Sequence, residues 1–369
     1  MRIHARHYAT LEAIEIERDD GRIMSIRPTL QASETLVAPA LFDLQINGAF
    51  GFSFNSPRLT LDEVRRVIDC CRSHGIGGML PTLVTTSYDA FIHGFTTLAN
   101  ARRVDPLIGR TVAGYHLEGP YLSPDDGPRG AHPREHIRPP DWDEFCRFQE
   151  AAEGLIRLVT LAPEHDGAIP FIEKATASGV VVAIGHTAAS SAQIRDAIRA
   201  GARLSTHLGN GSHAMLPRHD NYIWEQLAAD ELWASIIPDG HHLPGGVLKS
   251  IYRVKSAERL IITCDASSLA GLPPGRYAQW GTELEVQPGG KVVVPDTPFL
   301  AGSGMFTDEC IGPMMQMTGA SLQQAIDMAT VQPRKLLGLP HAGLAVGSTE
   351  PLMLFTRTDA GIRMSELID

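Results

Sequence analysis

The chain has 369 residues, 43% hydrophobic and 20% charged, enough length and apolar content for a large core. Its formal net charge of −10 argues against the basic footprint of a nucleic-acid binder, and no apolar run reaches the roughly 18 residues of a membrane span. Cys70, Cys71, Cys146, Cys264 and Cys310 form neither a CxxC pair nor an even-numbered disulfide framework, and the N-terminal stretch lacks the apolar core of a signal peptide, so reduced thiols in the cytoplasm are expected.

Residues 1–38 read as short strands. Apolar and polar residues alternate over 11–18, Asp19-Asp20-Gly21-Arg22 is a turn, and the alternation resumes over 23–27, which predicts a hairpin with one dry face. From residue 39 a strand–helix rhythm sets in. Apolar runs bounded by turn residues, the mark of buried parallel strands, occur at 40–48, 77–84, 112–118, 157–163, 180–186, 203–208, 232–237 and 260–265. Helical spacing predicts helices over 61–71, 88–104, 141–153, 168–178, 190–200, 221–229 and 244–257, with Asp141 as an N-cap. Eight such units predict an α/β fold, a (β/α)8 TIM barrel spanning 39–339. An insertion over about 272–297 breaks the rhythm with β-rich turns around Trp280, Leu284 and Val286, and helices over 308–317 and 322–330 close the barrel. The tail over 343–355 is strand-like and pairs with the N-terminal hairpin, giving a small β-sandwich domain of residues 1–38 plus 340–369.

In such a barrel the carboxyl ends of the strands converge on one face, where the chemistry is kept. Here those ends carry Gln45 and Asn47, Thr82, Glu118, Glu164, His186, His207, Asp239 with His242, and Asp265. Glu118, His186 and His207 make a carboxylate and two imidazoles, a set that suits zinc with the fourth position left to water. A metal lowers the pKa of its bound water toward about 7. Asp265 can take the proton of that water and return it to a leaving amine. Together these imply hydrolysis of an amide or ester. His74 and His116 read as hydrogen-bonding residues, Glu164 as a barrel-mouth residue without a task, Trp224 and Trp233 as core or interface residues, and Met305, Met314, Met315 and Met317 as helix packing.

These motifs resemble the N-acetylglucosamine-6-phosphate deacetylases of the amidohydrolase superfamily. The likeness runs nearly end to end, through Gln45-Ile-Asn-Gly48, His116-Leu-Glu-Gly-Pro120, Gly130-Ala-His-Pro-Arg-Glu-His-Ile-Arg138, Leu161-Ala-Pro-Glu164, Gly185-His-Thr187, Thr206-His-Leu-Gly-Asn210, Asp239-Gly-His-His242, Asp265-Ala-Ser-Ser-Leu-Ala-Gly271 and Leu300-Ala-Gly-Ser303. The resemblance implies Glu118, His186 and His207 as ligands of a divalent metal and Asp265 as the catalytic acid/base. It implies that Ala131 and His132 contact the substrate, His132 polarising the acetyl carbonyl. Asn210, the Gly211 amide and His242, on the loop that begins at Asp239, would hold a sugar phosphate, and Ala301 and Gly302 would line the sugar pocket. Arg218 falls where the family reaches the phosphate of the neighbouring subunit, which implies a homodimer.

Two departures refine the expectation. Many amidohydrolases open with a His-x-His pair for a second metal, but here the first strand ends in Gln45 and Asn47, poor zinc ligands, so one metal is expected, zinc with iron or cobalt as alternatives. At the sixth strand, His207-Leu-Gly-Asn-Gly-Ser212 replaces the family's aromatic and small residues with two glycines, which would open the pocket and loosen the loop. The substrate expected is therefore N-acetylglucosamine 6-phosphate or another N-acyl amino sugar, phosphorylated or not; a cyclic amide and a non-catalytic binding module are the remaining alternatives.

Overall fold

The computed structural model describes residues 1–31, 33–279, 282–297, 299–340 and 343–369. Eight parallel strands follow one another around a barrel in chain order: Leu41–Ile46, Ile76–Val84, Tyr115–Glu118, Ile156–Leu161, Val181–Ile184, Leu204–Ser205, Trp233–Ile236 and Leu260–Ile262. The first and last are joined through a parallel bridge between Ile46 and Ala266, with the Asn47 amide 2.8 Å from the Ala266 carbonyl. The helices outside begin where short polar side chains cap free amides. Thr60 and Glu63 form a capping box before Leu61–Ser73, Ser87 caps Tyr88–Val104, and Asp141 accepts from the Glu144 amide at 2.7 Å before Trp142–Ala151.

Alternation along the strands divides the core. In the third strand Tyr115 and Leu117 join the large cluster under the helices, while His116 and Glu118 point the other way. Phe42, Leu44, Leu80, Leu158, Ala183, Leu204 and Ile261 make a separate cluster drawn from six barrel strands. The first strand loses register with its neighbour between Asp43 and Ile46. Such an irregularity re-aims side chains, and here Gln45, directly after Leu44, reaches across to Glu118 and Asp265.

The chain ends form one six-stranded sheet that includes Arg2–His7, Ala13–Asp19, Arg22–Pro28, Leu36–Pro39, Leu352–Thr358 and Gly361–Ile368. Ile3, Ile14, Ile23, Val37, Leu352 and Ile368 share one cluster, and buried Arg18 donates to the Ile368 carbonyl at 3.2 Å.

Several boundaries differ from those read in the sequence. The third strand starts at Tyr115 rather than 112, because Asp105 and Pro106 start a short helix, Pro106–Thr111, that Val112 terminates. The tail is not strand-like from 343; its strand begins at Leu352, and the turns before it dock on the hairpin through the Gly347 amide and the Ile23 carbonyl. The helix Val331–Leu336 and the strand Gly361–Ile368 have no counterpart in the sequence reading. The insertion is a four-stranded antiparallel sheet, Gly275–Gln279, Thr282–Val286, Lys291–Val293 and Leu300–Ser303. Leu284 and Val286 are in its buried cluster; Trp280 lies outside the described residues.

Candidate active site

Glu118, His186 and His207, from the third, fifth and sixth strand ends, meet above the barrel lumen. Their donor atoms all lie within 4.8 Å of one another, and all three side chains are buried. Glu118 Oε1 is 3.0 Å from His207 Nε2 and 3.3 Å from His186 Nε2, and the two Nε2 atoms are 3.1 Å apart. His186 and His207 sit at φ +50° and +28°, as does Asp265 at +50°. Left-handed backbone costs a side-chain-bearing residue of order 1 kcal/mol or more and is characteristic of functional sites. Here it turns each side chain from the strand direction toward a shared centre.

Electrostatics hold the set together. Burial would push the Glu118 carboxyl up, but hydrogen bonds from His186 and His207, and their charge, hold it well below the usual carboxylate range. Burial opposes protonation of His207, yet Glu118 and then Asp265 raise it overall. His186 Nδ1 donates to the Pro128 carbonyl at 2.7 Å, which turns Nε2 toward Glu118 and would present that nitrogen to a bound cation. Two imidazole nitrogens this close, both facing one carboxylate oxygen, need positive charge between them. The donor set fits a divalent cation.

Asp265, from the end of the eighth strand, faces this centre. Its Oδ1 accepts from Gln45 Nε2 at 3.0 Å and from Asn47 Nδ2 at 2.8 Å, and Gln45 Nε2 also reaches Glu118 Oε2 at 2.9 Å. Gln45 and Asn47 thus act as donors to the carboxylates. Burial and the Glu118 charge push the Asp265 carboxyl up to about 7.

A cavity of about 740 Å³ opens from this centre. Ala131, His132, Asn210, Gly211, His242, Ala301 and Gly302 line it, with Asn47, Glu118, His186, His207 and Asp265 at its floor. Among its described lining residues there is no lysine or arginine. His132 is held by Thr85 Oγ1 at 3.0 Å from Nδ1 and stands edge-on to His186; burial and the His186 charge lower it to about 3, so it is neutral. Asp239 does not line the cavity; it supports His242, whose Nδ1 is 2.7 Å from Asp239 Oδ2, and accepts from the amides of residues 241 and 242. Arg218 is exposed, in a loop where its carbonyl accepts from Trp224 Nε1, and does not line the cavity of its own chain.

The other polar residues at the barrel mouth have structural tasks. Glu164 accepts from Thr187 Oγ1 and the Ala188 amide, which pins the chain just past His186. His116 spends both ring nitrogens, on the Leu44 carbonyl and on Thr160 Oγ1. His74 pairs with Asp308 at 2.9 Å and stacks on Phe306. Asp43, absent from the sequence-derived site, is fully buried in the first strand and accepts from Gln45 N, Cys264 N, Thr263 Oγ1 and Thr307 Oγ1. Its signal was a carboxylate inside an otherwise apolar run.

The two glycines after His207 do more than open space. Gly211 sits at φ +55°, and a Cβ there would lie 2.6 Å from His186 Nδ1. Gly211→Ala is expected to displace the His186 ring and weaken metal retention about 10- to 100-fold, read as metal content after dialysis. Full retention would show that the ring yields without loss of its function.

No family model matches the chain. Curated relatives do. An N-acetylgalactosamine-6-phosphate deacetylase of Escherichia coli O157:H7 is 32% identical over 341 residues, 90% of this chain and 86% of that protein. An N-acetylglucosamine-6-phosphate deacetylase of Bos taurus is 34% identical over 319 residues, 82% of this chain and 75% of that protein. Among solved structures, N-acetyl-D-glucosamine-6-phosphate deacetylase of Mycobacterium smegmatis superposes with a TM-score of 0.89 at 29% identity, covering 100% of both chains. A variant of that enzyme, in complex with N-acetyl-D-glucosamine-6-phosphate, gives 0.88 at 28% identity, with 99% and 98% covered. With that identity over most of both chains, a matching barrel and a buried Glu-His-His centre, the protein belongs to the N-acetylglucosamine-6-phosphate deacetylase family of the amidohydrolase superfamily.

Proposed function

We propose that this enzyme removes the acetyl group from N-acetylglucosamine 6-phosphate, giving glucosamine 6-phosphate and acetate. The observation that carries the reading is the buried carboxylate and two imidazoles facing Asp265 at the floor of the cavity. Glu118, His186 and His207 would hold one divalent cation, zinc by its preference for imidazole and carboxylate, with iron or cobalt also fitting the donors. When bound, such an ion supplies Lewis-acid activation of water and of the amide carbonyl.

The chain's own residues do the rest. Asp265 Oδ1 is already occupied by two amide donors, which leaves Oδ2 to accept the proton of the attacking water and pass it to the amine nitrogen as the C–N bond breaks. Neutral His132 polarises the acetyl carbonyl beside Ala131. Asn210, the Gly211 amide and His242, steadied by Asp239, hold the phosphate, and Ala301 and Gly302 form the sugar wall.

With no lysine or arginine among the described residues that line the cavity, the phosphate dianion needs a cationic side chain from outside. Exposed Arg218 supports the reading that a second copy supplies it, in a homodimer, since a guanidinium matches a phosphate bidentately. Arg218→Ala is then expected to raise KM for the phosphorylated sugar about 10- to 100-fold, the 1.5–3 kcal/mol of a charge-assisted contact, and to leave the unphosphorylated sugar unchanged. Equal effects on both would remove Arg218 from phosphate recognition. The five free thiols support a reducing, cytoplasmic setting. No helix among the described residues is long and apolar enough to cross a membrane.

The direct test is acetate release from the 6-phosphates of N-acetylglucosamine and N-acetylgalactosamine and from the two free sugars. A preference for the galacto epimer, the substrate named for the Escherichia coli relative, would favour that second reading. No acetate from any of the four would overturn both.

A further inference from the structure

The segment between the third strand and the helix Trp142–Ala151 contacts both the metal centre and the cavity. Pro128 offers the carbonyl that His186 Nδ1 reaches at 2.7 Å. Gly130 lies so close to the same ring that a Cβ would come within 3.3 Å of it. His132 stands edge-on to His186 with ring centroids 4.4 Å apart. The His186 imidazole therefore leans on three neighbouring positions of one loop.

That loop is folded by few bonds. The Arg129, Gly130 and His132 amides donate to the Asp125, Gly127 and Arg129 carbonyls at 2.9, 3.0 and 3.2 Å. Among the described residues, the Arg129 side chain spans the turn. One end of its guanidinium donates to the His132 carbonyl at 2.8 Å and the other to Asp126 at 2.9 Å. The Arg129 side chain is 21% exposed but its Asp126 partner is 74% exposed, and an ion pair with so open a partner contributes little. The bond to the His132 carbonyl is the one that ties the loop.

We propose that Arg129 is a positioning residue that couples substrate contact to metal retention. It holds the loop in the fold in which the Pro128 carbonyl orients His186 and His132 faces the cavity at the same time. Whatever binds at His132 then steadies Pro128, and whatever pulls His186 onto a cation steadies His132. By linkage each ligand tightens the other by the same factor.

The test uses the full-length, metal-loaded enzyme and times metal release to a chromogenic chelator, with and without saturating glucosamine 6-phosphate. Arg129→Ala is expected to release metal about 10- to 100-fold faster, the usual effect of loosening a ligand's outer partner. Glucosamine 6-phosphate is expected to slow release from the wild type and not from the variant. Arg129→Lys, with one donor left for the His132 carbonyl, falls between. Asp126→Asn stays within about threefold of wild type, because the exposed pair adds little. If Arg129→Ala does not fold, Arg129→Lys and Arg129→Gln are compared in its place.

A folded Arg129 variant that releases metal at the wild-type rate overturns the proposal, even if its melting temperature falls. So does one that releases metal quickly yet is slowed by the sugar phosphate by the wild-type factor. The ligand arm rests on the proposed substrate. If calorimetry shows no binding of glucosamine 6-phosphate to wild type, that reading fails by itself, and release without ligand still decides the place of Arg129.

Discussion

Asp265→Asn is expected to lower kcat by about 10²- to 10⁴-fold, the usual contribution of a positioned acid/base, with metal content and secondary structure unchanged. The substituted side chain has nearly the same shape and can still turn its oxygen toward the Gln45 and Asn47 donors that now meet Oδ1. What it lacks is the second oxygen as a proton acceptor. The wild-type carboxyl is pushed up to about 7 by burial and by Glu118, and a cation bound to the neighbouring ligands would bring it down again. The base form is the competent one. Activity should therefore fall as pH drops through a limb at or below about 7, and that limb should vanish from the variant's residual rate. Steady-state kinetics across pH, with metal analysis of the same samples, checks both parts. Turnover at the wild-type level would take Asp265 out of the reaction.

The largest expected loss of stability is at Asp43. Asp43→Ala should cost about 3–5 kcal/mol, because the cavity leaves Gln45 N and Cys264 N without their acceptor, at about 1–3 kcal/mol for each buried unpaired group. The Thr263 and Thr307 hydroxyls lose the same acceptor but can rotate toward others. The carboxyl joins the first strand, the end of the eighth strand and the helix Thr307–Thr318 at one buried point. Its loss should therefore loosen barrel closure beside Gln45 and Asp265. Denaturant unfolding followed by circular dichroism measures the cost, and Asp43→Asn, which keeps one oxygen acceptor, should lose less. A cost under about 1 kcal/mol, the scale of an ordinary surface change, would show that this network does not close the barrel.

Helix starts were legible where a short polar residue preceded an apolar period. Tyr88–Val104 after Ser87 and Trp142–Ala151 after Asp141 lie within a residue or two of the expected bounds. Strand ends were less legible. Apolar runs of six residues shrink to Leu204–Ser205 and Leu260–Ile262, because the chain leaves the ladder to aim His207 and Asp265 inward. The helix Pro106–Thr111 was hidden inside what reads as the approach to a strand, although Asp105-Pro106 is a helix-start pair.

Within the site, residue type alone singled out Glu118, His186, His207 and Asp265, since carboxylates and imidazoles after apolar runs stand out against a barrel's periodicity. The resemblance, rather than residue type, put Asp239 on the loop that holds the substrate, and there it lies behind His242. Residue type left Glu164 without a task, and the contact that gives it one runs to the Ala188 backbone.

The amino-acid pattern by itself determined the barrel, the order of its strands and the kind of atoms gathered at its mouth. Those follow from periodicity and from the chemistry of side chains, which are local properties. The folded chain alone decided which imidazole nitrogen faces the shared centre, which oxygen of Asp265 its amide donors leave free, and that a proline carbonyl 58 residues before His186 bears on its ring. These depend on backbone groups brought together from distant positions. A backbone carbonyl is the same in every residue, so nothing in the order of side chains marks the one that will be used.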